Sequence, residues 1–326
     1  MSILVTGGAG YIGAHVVRLL QQRGEKVVVV DDLSYGSPTR IGDAKLVQLD
    51  VASSGARKVL FQTLIDEDVT AVIHFAARKQ VGESVEKPMW YYQQNVGGLA
   101  NMMSAMRDAG VRQMIFSSSA AVYGQPDVPV VPEELAGKPI NPYGETKLIG
   151  EWMMADCERA WGLRWIGLRY FNVAGSGWDE LGDPDRLNLN PIVLEHMAKS
   201  KHPAIFGSDY DTPDGTCVRD YIHVVDLARG HIAALKKLET NCGLFVCNLG
   251  TGKGYSVLDV LHAYEQACGK TLPYVVDPRR PGDIAVCYAD PTKAKEELGW
   301  EAQYGIEEMC ASSWKWQSMN PNGYKG

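Results

Sequence analysis

A glycine-rich turn set between a strand-like run and a helical period at the amino terminus constrains this chain more than anything else in it. Residues 2–6 read as a short buried strand, Gly7-Gly8-Ala9-Gly10-Tyr11-Ile12-Gly13 follows, and apolar side chains then recur at helical spacing through Leu20. The order predicted is strand, tight turn, helix. Glycines at 7, 10 and 13 permit the turn, let the backbone approach a pyrophosphate and let the helix pack close to the strand. The start of the helix favours the phosphate charge. The next strand, 26–30, ends in Asp31. A carboxylate there accepts both hydroxyls of an adenosine ribose and repels a 2′-phosphate, and no arginine follows it directly, so the expected dinucleotide is NAD rather than NADP.

Further strand-like runs at 46–49, 71–75, 113–117 and 165–169 alternate with amphipathic stretches. Such alternation predicts an α/β fold, a Rossmann-type, doubly wound parallel sheet with helices on both faces. Ligands of such sheets bind beyond the carboxyl ends of the strands, where Asp31, Asp50, Phe75, Ser117 to Ser119 and Tyr170 to Asn172 fall. Asp50 reads equally well as a turn cap or an adenine contact, and His74 as a satisfied core histidine rather than a catalyst. After Val173 the pattern loosens: 174–190 is rich in Gly, Asp, Asn and Pro, and 191–199 resumes a helical period. The expected division is therefore an NAD-binding domain over 1–173, to whose sheet later segments are able to return, and a smaller C-terminal α/β substrate domain over 174–326.

The chemistry is carried by Tyr143-Gly144-Glu145-Thr146-Lys147, with Ser117-Ser118-Ser119 upstream. Tyr143 and Lys147, four positions apart, share one helix face, so an ammonium can stand beside a phenol and favour its ionised form. Bringing a phenol from its ordinary pKa of about 10 to near 7 takes roughly 4 kcal/mol, and one charge about 4 Å away supplies energy of that order at an effective dielectric of about 20. The spacing points to a base for reactions that move hydride.

Composition narrows the class. A chain of 326 residues, 45% of them hydrophobic, can bury a large core, and a net charge of −7 argues against a nucleic-acid surface. No apolar run approaches membrane-spanning length and the start lacks a signal-peptide pattern, so a soluble, cytoplasmic protein is expected. Seven cysteines, at 157, 217, 242, 247, 268, 287 and 310, are scattered and lack a Cys-x-x-Cys pair. Free thiols and no bound metal are the expectation. In the second half, Arg219 and the segment Arg279-Arg280-Pro281-Gly282-Asp283 suggest a second, anionic ligand, because guanidinium groups grip diphosphates through forked donors.

The strings TGGAGYIG, HFAARKQVGESVEKPMWYYQQNV, FSSSAAVYG, NPYGETK, YFNVAG, GTCVRDYIHVVDLA and RRPGD, spread over essentially the whole chain, closely resemble the UDP-glucose 4-epimerases of the extended short-chain dehydrogenase/reductase family. The resemblance implies bound NAD, a UDP-hexose substrate, a homodimer and no net oxidation. Its cofactor contacts fall on Gly7, Gly10, Tyr11, Ile12, Gly13, Asp31, Asp50, Val51, Phe75, Lys79, Asn95, Tyr143, Lys147 and Tyr170. Its catalytic groups fall on Tyr143, Lys147 and Ser119. Substrate contacts fall on Ser119, Tyr143, Asn172, Asn188, Leu189, Arg219, Arg280 and Asp283. Many members have threonine where this chain has Ala121, a change expected only to alter packing or to remove a secondary hydrogen bond. In the family the residue before the tyrosine of RRPGDIAVCYAD helps wall the hexose pocket. Here it is Cys287, whose small side chain suggests that N-acetylated hexoses are accepted too.

Within the same fold, a sugar-nucleotide dehydratase would need acids that Ser119-Ala120-Ala121-Val122 does not offer. A net dehydrogenase or reductase is the other alternative, distinguished by release of its nicotinamide at each turnover. For a dimer, the resemblance points to helices around Tyr91 to Met106 and Glu151 to Ala160, whose apolar faces could equally pack within one subunit.

Overall fold

The computed structural model describes residues 1–183, 193–194, 202–240, 245–280 and 282–321. In chain order its strands begin with β1 (Ser2–Thr6), β2 (Lys26–Asp31), β3 (Lys45–Gln48), β4 (Ala71–His74), β5 (Gln113–Ser117), β6 (Val130–Val131), β7 (Arg164–Tyr170) and β8 (Asn172–Ala174). They continue with β9 (Ala204–Phe206), β10 (Val218–Arg219), β11 (Tyr221–His223), β12 (Phe245–Leu249), β13 (Tyr255–Ser256), β14 (Val275–Asp277) and β15 (Val286–Ala289). A seven-stranded sheet runs in the order β12-β7-β5-β4-β1-β2-β3, and its pairings from β3 through to β7 are parallel. β1 and β4 are buried along their length, as strands covered by helices on both faces must be. The strands expected at 2–6 and 113–117 have those bounds, and the other four differ by one residue at one or both ends.

The chain forms two compact units. One comprises Met1–Gly124, Ala136–Arg169 and Ala228–Cys247, the other Gln125–Leu135, Tyr170–Leu227 and Asn248–Gly326. In the first, helices Ala56–Asp66 and Gly98–Ala109 bury Leu60, Leu64, Leu99, Met102 and Met106 against Val72, Met114 and Phe116 of the sheet. Helix Pro142–Trp161 has clear local causes. The Asn141 side chain caps it by accepting from the Gly144 amide at 2.9 Å, Pro142 opens its first turn, and Gly162 ends it at φ 73°. In the second unit the strands are short: a four-stranded sheet in the order β13-β10-β15-β6 and two pairs, β11-β8 and β14-β9. Helices Val257–Cys268 and Ile306–Met319 bury Val260, Leu261, Tyr264, Met309 and Cys310 between them. Of the segments expected as loop and helix over 174–199, 174–183 and 193–194 lie within the described residues. Among the described residues no helix is long and apolar enough to cross a membrane.

His74, at the carboxyl end of β4, is a packed core histidine. Its Nδ1 lies 2.8 Å from the Thr6 hydroxyl and its ring stacks on Phe116 at 6.3 Å. Burial, with the Lys147 charge adding, pushes its pKa from 6.5 down to about 3. The folded protein thus holds it neutral. Its contribution to stability is complete above the ordinary imidazole value and is lost as pH falls towards about 3, at about 1.4 kcal/mol per pH unit. His74→Asn, which keeps a partner for Thr6, should flatten the fall of thermal stability between about pH 7 and pH 5. An unchanged slope in melts across that range would contradict this assignment.

Candidate active site

The turn after β1 is built as a cradle. Gly7 has φ 69°, and a Cβ there would stand 2.8 Å from the Ala76 amide nitrogen; a Cβ on Gly13 would stand 2.2 Å from the Gly7 carbonyl oxygen. Neither position accepts a side chain without moving backbone. Helix Tyr11–Gln22 starts from Gly10 with no side-chain cap, which leaves its opening turn suited to an anion. Asp31 closes the cradle on one side: Oδ2 accepts from the Ala9 amide at 3.0 Å and Oδ1 from the Leu33 amide at 2.9 Å. Burial raises its pKa, and those two amide bonds oppose the rise. Each carboxylate oxygen keeps capacity for a further donor, so the residues present fit a dinucleotide with free ribose hydroxyls.

Beyond β3, Asp50 caps its own turn, accepting from Ala52 N at 2.8 Å, and also accepts from Gln94 Nε2 at 3.2 Å. Val51 is buried. Phe75, just past β4, packs on His231 with ring centroids 4.7 Å apart. Asn95 is a clamp: Oδ1 accepts from the Arg78 amide at 2.7 Å, and Nδ2 donates to the Arg78 carbonyl at 3.0 Å and to Thr146 Oγ1 at 3.0 Å.

Tyr143, Lys147 and Ser119 come together in the first unit. Ser119 Oγ accepts from the Ala121 amide at 3.1 Å. Lys147 is buried, donates to the Ser117 carbonyl at 2.7 Å and lies 5.3 Å over the Phe116 ring. Burial lowers its pKa to about 8, against an upward pull from Glu151. Tyr143 differs from expectation. Burial raises its pKa, and the opposing influences are the Ser119 hydrogen bond and the charge of Lys79, not that of Lys147. The Lys147 ammonium donates to the Ser117 carbonyl and stands 5.9 Å over the centre of the Tyr143 ring.

One turn further along the same face, Glu151 binds Arg169 through both oxygens, at 2.9 and 2.6 Å, and accepts from Ser118 Oγ at 2.6 Å. Both charged side chains are less than one-tenth exposed, at 7% and 6%. This pair fixes the serine run to the helix that carries Tyr143. Sequence reasoning passed over it, although its i+4 spacing from Lys147 was a usable signal.

In the second unit, Arg219 pairs across the strands with Cys287. Asp283 lies 3.6 Å from the Arg219 guanidinium and 3.3 Å from that of Arg280, so the separated arginines meet on one carboxylate. Arg280 also stacks over Phe206 at 4.5 Å. Beneath them Asp220 is fully buried and accepts from the amides of Thr251, Gly252 and Ala289, joining the loop after β12 to β15. Asn172 is exposed and donates to the Asp220 carbonyl at 3.3 Å. Asn188 and Leu189 lie outside the described residues.

A family model described as the NAD dependent epimerase/dehydratase family matches residues 3–250. The chain is 47% identical to a UDP-glucose 4-epimerase of Bacillus subtilis over 340 residues, covering 100% of this chain and 99% of that one. The chain belongs to the UDP-glucose 4-epimerases of that family. A UDP-glucose 4-epimerase from Stenotrophomonas maltophila, with bound NAD and formylated UDP-arabinopyranose, superposes with a TM-score of 0.94 at 41% identity, covering 98% of this chain and 99% of that one. One from Bifidobacterium longum in complex with NAD+ and UDP gives 0.90 at 42% identity, covering 99% and 100%. Within this epimerase chain, Tyr143, Lys147 and Ser119 form a connected group in one unit, and Arg219, Asp283, Arg280 and Cys287 form another group in the second. Tyr170, the last residue of β7, is half-buried, and Lys79 is exposed.

Proposed function

We propose that this epimerase interconverts UDP-galactose and UDP-glucose through a 4-keto sugar, with NAD held throughout. The observation that carries the proposal is the buried Lys147, whose ammonium stands 5.9 Å over the centre of the Tyr143 ring, in a unit whose glycine cradle fits a dinucleotide. The hydrogen on C4 of a hexose is not acidic without a neighbouring carbonyl, so inversion there calls for temporary oxidation. Bound NAD supplies a reversible hydride acceptor for C4. Tyr143 takes the proton of the 4′-hydroxyl and later returns it to the same oxygen. Ser119, oriented by the Ala121 amide, donates to the oxygen on which charge develops. Lys147 holds positive charge in the buried pocket and takes part in holding the nicotinamide ribose.

Gly7, Gly10, Tyr11, Ile12, Gly13, Asp31, Asp50, Val51, Phe75, Lys79, Asn95 and Tyr170 are assigned to the cofactor with Tyr143 and Lys147. Asn172, Asn188, Leu189, Arg219, Arg280 and Asp283 are assigned to the UDP-sugar; the two arginines anchor its diphosphate while the keto sugar turns over. We assign the enzyme to the cytoplasm, in keeping with the free thiols among the described residues. A homodimer is supported by Trp152, 59% exposed on helix Pro142–Trp161. The apolar residues of Gly98–Ala109 are committed to the subunit's own core.

Tyr143→Phe should lower turnover at least about a thousandfold and leave UDP binding within about twofold, because the base is lost and the diphosphate site is untouched. Near-normal turnover would remove Tyr143 from this role. Cys287, half-buried beside Arg219, leaves room for a 2-acetamido group, so UDP-N-acetylglucosamine and UDP-N-acetylgalactosamine are proposed as further substrates. Cys287→Tyr should cut turnover of the acetylated sugars at least about tenfold more than that of the plain hexoses. Equal effects on both would take the selective role from Cys287.

A further inference from the structure

The loops after β2 and β4 are tied to each other although the sheet keeps those strands apart. β1 lies between β2 and β4, and the glycine turn leaves its carboxyl end. Asp32, Ser34 and Tyr35 follow β2, whereas Arg78 and Gln80 follow β4. The Arg78 guanidinium donates to Asp32 Oδ2 at 2.5 Å and to the Ser34 hydroxyl, and Gln80 Nε2 reaches the Tyr35 hydroxyl at 3.4 Å. The guanidinium also donates to Gln94 Oε1 from Nη2 at 3.0 Å and from Nε at 3.2 Å. Its Cζ lies 5.2 Å from the centre of the Trp90 ring and 5.8 Å from that of the Tyr35 ring. The Arg78 backbone is gripped on both sides by Asn95, so the side chain reaches out from a fixed base. The arginine side chain is only 14% exposed. An ordinary surface ion pair has no such framework, and by itself contributes little.

In a doubly wound sheet the dinucleotide lies along the carboxyl ends of the strands, with its pyrophosphate at the turn after the first. A bridge from the β2 loop to the β4 loop crosses that line. We propose that Arg78 and Asp32 form a clasp over the dinucleotide site which must open before NAD leaves, so that these two residues set how long the enzyme keeps its cofactor. The proposal rests on the cofactor reading above and adds the residues that govern exchange. Two physical effects are separable here. As a link, the pair fails whichever partner is removed. As a charge device, Arg78 merely cancels Asp32, which stands next to Asp31 and would otherwise repel an anionic pyrophosphate; removing Arg78 and removing the Asp32 charge would then act in opposite directions.

The test uses the full-length protein purified from cells fed isotopically labelled nicotinic acid, so that the NAD it carries is labelled, then chased with unlabelled NAD, with the label remaining on the protein followed over time. Arg78→Met and Asp32→Asn should each release label about tenfold faster than the unsubstituted protein, the factor equivalent to about 1.4 kcal/mol. Asp32→Asn preserves side-chain shape and keeps the test open should Arg78→Met fold poorly. Release rates equal to that of the unsubstituted protein would overturn the clasp. So would faster release from Arg78→Met together with slower release from Asp32→Asn, which is the signature of charge cancellation alone. Failure of the unsubstituted protein to hold any label would overturn the cofactor reading, and the clasp with it.

Discussion

The site depends on burying an ammonium and an ion pair along one face of helix Pro142–Trp161. Lys147 gives a hydrogen bond to the Ser117 carbonyl at the end of β5, and Glu151 grips Arg169 from β7 while accepting from Ser118. Charges removed from water cost several kcal/mol each unless partners meet them, and removing one partner of such a pair typically costs about 3–5 kcal/mol. The helix is therefore held in one rotation and one height against the sheet. That constraint places Tyr143 against Ser119, and through Thr146 it also holds Asn95 and the Arg78 backbone. A catalytic tyrosine on a helix anchored only by apolar contacts would have more freedom to slide.

Lys147 itself is poised rather than fully committed to its charge. Burial brings its pKa to about 8, and Glu151 is the group that counteracts the fall. Desolvation holds half-buried Tyr143 higher than a free phenol, with Ser119 and Lys79 pulling the other way. A positively charged nicotinamide ring, when bound, is the further influence that favours phenolate.

Much of this was legible in the sequence because the signals were local. The glycine turn, the strand that ends in Asp31 and the i, i+4 spacing of Tyr143 and Lys147 each carry their meaning within a few residues. Strand ends were legible to within one residue where the flanking turn was marked, as at Ser117 before the serine run. The distant partnerships were not: Asp32 with Arg78, Glu151 with Arg169 and Asp220 with the Thr251 loop join segments whose proximity only the sheet creates. The four-stranded sheet of the second unit was also illegible, since β6, β10 and β13 are two residues long and show no period. The Lys147 ammonium stands over the Tyr143 ring, as the spacing implies, and its bond to the Ser117 carbonyl was the part left unread. Spacing places a residue on a face, but the nearest carbonyl decides where its ammonium goes.

The central claim is reversible oxidation at C4 by a cofactor that stays on the protein, and it is tested most directly by chromatographic product analysis of the purified protein given UDP-galactose with no nicotinamide added. The account predicts that UDP-glucose appears and that the two sugars reach a fixed ratio from either side, with no net change in absorbance from reduced nicotinamide. Absence of UDP-glucose even after NAD is supplied, or steady accumulation of reduced nicotinamide with an oxidised sugar, would contradict it.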